Sequence, residues 1–95
     1  MFIIFLKFSN NKSKAPDFMQ AHNAWITEHI NSGKFLLVGT LKPKQGGCVL
    51  AHCADKDEAK AIAEQDPFIA EDIVTAEIHE ISPAKVDDRL SFLLS

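Results

Sequence analysis

Phe2-Ile3-Ile4-Phe5-Leu6-Lys7-Phe8 is the stretch that decides the fold. Phe2, Ile4, Leu6 and Phe8 fall on one alternating set, and Ile3 and Phe5 on the other. A strand with one face in water alternates apolar with polar residues; this one reads as a strand covered on both faces. Phe35 to Leu41 repeats the pattern and reads as a second strand. Outward from these two, Asn10 to Lys14 is a polar loop. Pro16 and Asp17 suit the first turn of a helix that runs to about Ser32, with Gly33 as its left-handed stop. Phe18, Trp25, Ile26 and Ile30 form its apolar stripe, and His22 and His29 fall on the same stripe.

Lys42-Pro43-Lys44-Gln45-Gly46-Gly47 is too short for a parallel crossover, so Cys48 to Cys53 is expected to return as the third strand of a hairpin. Asp55 is the expected N-cap of a second helix, with Glu58 three residues on and Ala59, Ile62 and Ala63 as its buried stripe. Asp66-Pro67 ends it. Ile73 to Ile81 is the fourth strand, with Val74, Ala76 and Ile78 on one face and Thr75, Glu77 and His79 on the other. Ser82-Pro83 breaks it. Val86, Leu90, Leu93 and Leu94 fit a short amphipathic helix or a segment packed on a partner.

The order is β-α-β-β-α-β. Right-handed crossovers then give an α+β, ferredoxin-like domain: a four-stranded antiparallel sheet with both helices on one face. Nothing of the chain's own is left to cover the other face except the tail. The two-sided apolar strands therefore predict a homodimer joined sheet to sheet. The chain reads as one domain over residues 1–95, with a core of 1–81 and a tail of 82–95.

Bulk properties narrow the function. The 95 residues carry a net charge of −3, which argues against nucleic acid, since Lys34, Lys42 and Lys44 are too thin a basic patch. Cys48 and Cys53 point to opposite faces of one strand and form no disulfide framework, which suits a reducing, cytoplasmic setting. The apolar opening lacks the flanks of a signal peptide, and no run reaches the ~20 residues of a membrane span. The four histidines have no metal-ligand spacing, and no cofactor is called for.

His22 is the leading candidate for chemistry. On a stripe of aliphatic and aromatic neighbours an imidazole must be hydrogen-bonded or cost about 1–3 kcal/mol. Imidazole also titrates near neutrality, as a general acid or base requires. Two readings stay open, a satisfied structural histidine and a proton-transfer residue. Asp66 likewise reads either as the N-cap of a turn starting at Pro67 or as a carboxylate that orients His22.

The aromatic first strand, His22-Asn23-Ala24-Trp25, Gly33, Gly39 and Asp66-Pro67-Phe68 occur in an order and spacing that resembles the YCII-related family of the dimeric α/β-barrel superfamily. The resemblance covers roughly residues 1–81. It implies a ferredoxin-like fold, dimerisation through the sheet faces, and a pocket on each subunit holding the family's His–Asp pair, carried over to His22 and Asp66. Trp25, Phe68, Gly39 and Thr40 are then expected in the pocket; Thr40 stands where proline is common in the family. The superfamily includes cofactor-free isomerases, lyases and oxygenases of small cyclic or aromatic compounds. The implied function is an isomerase- or lyase-like enzyme transferring a proton on such a compound. The alternatives are a dimeric ligand-binding or accessory module, and a haem or metal protein of the same superfamily.

Overall fold

The computed structural model describes residues 1–94. Strand β1 (Phe2–Phe8) leads through a 3-10 turn (Lys12–Lys14) into α1 (Ala15–Asn31). β2 (Phe35–Leu41) and β3 (Gly46–Ala51) follow, then α2 (Lys56–Glu64), a one-turn α3 (Pro67–Ala70), β4 (Val74–Glu80) and a terminal 3-10 segment (Asp88–Leu94). The sheet order is β2-β3-β1-β4, every neighbouring pair antiparallel. This is the ferredoxin-like arrangement expected from the strand and helix order.

Register sorts the side chains. Ile4 stands opposite Val49 on one side and Ile78 on the other; Phe2, Ala51 and Phe35 align one pleat further along. These residues face the helices and form the core with Trp25, Ile62, Phe68 and Ile73. Trp25 ties the layers together: its ring meets Phe35 edge-on at 5.0 Å, and its Nε1–H donates to the Ile62 carbonyl of α2 at 2.9 Å. The opposite set, including Ile3, Phe5, Leu37 and Leu50, lies on the face without helices, and Leu37 is 51% exposed. On the β4 side this face turns polar, with Lys7 paired to Glu77 at 2.7 Å. The tail does not bury its own apolar residues: Leu90, Phe92 and Leu94 are exposed, although the Phe92 ring meets His52.

Three expectations need correction. Gly46 and Gly47 belong to β3 and not to the turn, which spans residues 42–45, and the strand ends at Ala51 before Cys53. A Gly-Gly pair reads as a turn; here glycine is needed inside the strand. Gly46 has φ +127°, and a Cβ there would strike the Leu6 carbonyl of β1. Second, residues 12–14 of the expected loop coil into a 3-10 turn. Third, Ile30 is exposed, because it lies roughly 80° round the helix from His22, at the edge of the stripe. Asp55 caps α2 as expected, accepting from the Glu58 N–H at 2.9 Å, while the Glu58 carboxylate accepts from the Ala54 N–H.

Candidate active site

The helix-facing side of the sheet is full at one end and hollow at the other. At the full end Phe2, Phe35 and Ala51 pair across the strands, and Phe35 meets Trp25. At the hollow end the same pleats carry Gly47 and Thr40, paired with each other across β2 and β3. Small residues beneath α1 leave a cavity of about 510 Å³, walled on the apolar side by Leu6, Val38, Ile26, Trp25 and Phe68. That volume suits a small organic molecule.

His22 projects from α1 into this cavity. Its Nδ1 lies 2.7 Å from Asp66 Oδ1. A carboxylate only accepts, so the Nδ1 position holds the hydrogen and donates it. The second nitrogen, Nε2, has no protein partner among the described residues and is the basic atom left to the cavity. The ring is fixed on its faces as well. It stacks flat on Phe68 at 3.9 Å and 3°, and lies 5.7 Å from Trp25.

Asp66 is positioned by the chain break that the Asp-Pro pair enforces. Pro67 starts α3, and Asp66 caps it, Oδ1 accepting from the Phe68 N–H at 3.0 Å. The cap and the histidine contact therefore use the same oxygen. Asp66 is fully buried, and Oδ2 has no hydrogen-bond partner among the described residues. A buried carboxylate with so few partners depends heavily on His22.

The residues singled out from the sequence fall in one place. Trp25, Phe68, Gly39 and Thr40 line the same cavity as His22, with Asp66 behind it. The remaining histidines lie elsewhere. His29 bonds Gln65 at 2.9 Å, His79 bonds Glu77 at 2.8 Å on the open face, and His52 meets Phe92. No group of three His, Cys, Asp or Glu side chains converges as a metal site among the described residues. Both cysteines are free, and burial pushes the Cys53 thiol up, away from the reactive thiolate. No helix is long and apolar enough to cross a membrane among the described residues.

Sequence reading missed Met19, Asn23 and Lys12 as cavity residues and weighed Lys44 only as part of a nucleic-acid patch. Helical spacing could have found two of them: Met19 is three residues from His22, and Asn23 is four from Met19 and three from Ile26. Lys12 and Lys44 carry no such signal, because loops bring them to the cavity.

Comparison with known proteins gives two findings. The family model described as the YCII-related domain matches residues 1–83. Among solved structures, the chain is similar to 5-chloro-2-hydroxyhydroquinone dehydrochlorinase from Burkholderia phenoliruptrix, solved in complex with 2,5-dihydroxybenzoquinone. The TM-score is 0.69 at 16% identity, covering 85% of this chain and 93% of that one. At that identity the likeness speaks for the fold. No curated protein sequence matches the chain.

Proposed function

Because this chain belongs to the YCII-related family, we propose that it is a small-molecule enzyme in which His22 transfers a proton on a small cyclic or aromatic substrate. The observation that carries this reading is the 2.7 Å contact of Asp66 with one ring nitrogen while the other is left to an apolar cavity of about 510 Å³. Nε2 takes a proton from an acidic C–H or O–H of the substrate. The imidazolium that forms is steadied by Asp66, which does not itself take the proton. The proton is then returned to a different substrate atom, giving an isomer. Alternatively the electron pair left behind expels an anionic leaving group, giving an elimination product. Phe68 and Trp25 keep water from competing and hold the imidazole plane in place. Such transfer contributes typically about 10²–10⁴-fold.

The similar solved structure is named a dehydrochlorinase and holds a quinone, an elimination chemistry that fits the second route. The open sheet face, with Ile3, Phe5, Leu37 and Leu50, supports a homodimer formed there. Cytoplasmic residence and a single domain over 1–95 belong to the same proposal.

The test has two parts. Nitrogen-15 NMR of the His22 ring should show the hydrogen on Nδ1. Proton–deuterium exchange into the ring positions of a panel of dihydroxybenzenes in heavy water should then be faster with the protein and collapse in His22→Gln. If the hydrogen resides on Nε2, the dyad is not as drawn. If the tautomer is right but no compound shows His22-dependent exchange, the pair is a structural staple and the protein is a ligand-binding or accessory module.

A further inference from the structure

The chain is acidic overall, with 13 Asp and Glu against 10 Lys and Arg. The cavity reverses that balance. Lys12 and Lys44 line it, and no Asp or Glu does; Asp66 lies behind His22 and out of reach. The two lysines come from different parts of the chain, the 3-10 turn before α1 and the β2–β3 turn. Phe8 joins them. Its N–H donates to the Gln45 carbonyl at 3.3 Å, which anchors the turn bearing Lys44, and the Lys12 ammonium sits 4.5 Å over its ring. Lys44 itself stands at φ +48°, in the left-handed region. Neither lysine has a carboxylate partner among the described residues, whereas Lys7 and Lys34 are both paired. Two unneutralised ammonium groups at one apolar cavity favour a ligand that brings its own negative charge.

We infer that the cavity takes a flat, singly charged organic anion, a ring bearing a carboxylate or ionised hydroxyl, whose charged oxygen is held by Lys12 and Lys44. This names the substrate class of the proton-transfer reading and rests on it for the chemistry, but not for the binding. The two cations also lower the cost of the extra charge that builds on such a ring when His22 removes a proton.

The test compares 4-nitrobenzoate with its neutral isostere 4-nitrobenzamide at one pH and low salt, using the whole chain. Trp25 is the sole tryptophan and lines the cavity, so quenching of its fluorescence reports occupancy. Each exposed lysine contributes a factor of roughly two to five, so the benzoate is expected to bind about tenfold tighter. The ratio should shrink severalfold in high salt, and should fall within about twofold of unity in Lys12→Gln combined with Lys44→Asn, asparagine being tolerant of the left-handed turn position. It should survive in His22→Gln. Equal affinities in the unaltered protein, quenching by neither probe, or a preference that outlasts removal of both lysines would each overturn the inference. A preference lost only in His22→Gln would do the same, by assigning the charge to the imidazole. Deuterium exchange can fail while this preference stands, so the two readings fall separately.

Discussion

His22 and His29 lie two turns apart on one face of α1, and each gives a ring nitrogen to a residue of the same short segment, Asp66 and Gln65. Both are largely covered, His29 buried and His22 with 14% of its side chain exposed. What differs is the partner and the space in front. His29 has a neutral amide and a wall of aromatics, with Trp25 at 6.0 Å and Phe35 at 5.0 Å. His22 has a carboxylate and a cavity. Burial alone therefore does not mark a histidine for chemistry. A charged partner on one nitrogen and open volume at the other do, and His29 is the molecule's own control.

The largest expected effect breaks that comparison outright. His22→Gln should lower proton transfer by about 10²–10⁴-fold, whereas His29→Gln should leave it within about twofold and instead cost about 1–3 kcal/mol of stability through the disturbed Gln65 bond. Equal losses of activity in the two variants would show that the helix, and not the His22 site, is being read. Next, Asp66→Asn should cost about 10²-fold in transfer with little change in unfolding free energy, since asparagine caps α3 as well as aspartate does. Its amide oxygen, in the place of Oδ1, keeps both the Phe68 cap and the hydrogen on Nδ1, so nitrogen-15 NMR should show the tautomer unchanged and the loss should trace to the missing charge. Gln65→Ala should leave the His22 tautomer alone.

A smaller effect separates the full end from the hollow end. Ala51→Gly at the packed end should lower stability by about 1 kcal/mol, through a void and a looser strand. Gly47→Ala should be neutral or stabilising, since its Cβ meets only the Gly39 carbonyl at 3.4 Å. The added methyl narrows the cavity, so weaker binding of 4-nitrobenzoate should accompany the unchanged melt. The smallest effect lies outside both ends. The Lys34 hydrogen bond and the Ala54 N–H hold the Glu58 carboxyl below its ordinary 4.5. Its stabilisation is present above that value and is lost as pH falls through the lowered one. Glu58→Gln should therefore flatten the acid side of the melting-temperature profile. The Glu58 hydrogen bond also holds Lys34 above its ordinary 10.5, so that share persists below 10.5 and is lost as pH rises beyond the raised value.

The sheet was legible because strand alternation is a local signal: Phe2–Phe8 and Phe35–Leu41 begin and end in the structure where the apolar runs do. The two glycines of β3 were misread because turn chemistry and close strand approach call for the same residue. The His22–Asp66 contact joins positions 44 apart, and no periodicity spans that distance; only the order of His22, Gly39 and Asp66-Pro67-Phe68 suggested it. The cavity lysines were illegible for a related reason. Lys44 sits in a turn anchored by Phe8 on Gln45, and Lys12 in one anchored by Ser9 and Asn11 on Ile73 and Asp72, contacts made only once distant parts of the chain have come together.

The place of β1 in the sheet also bears on how the protein is made. β1 is flanked by β3 and β4, pairing Phe2 with Ala51 on one edge and with Glu80 on the other. On the ribosome it emerges long before either neighbour. At about 5–20 residues per second, the chain carries a bare, two-edged apolar segment for several seconds before the last strand can close on it. During that interval Phe2–Phe8 is open on both edges to pairing with the wrong strand.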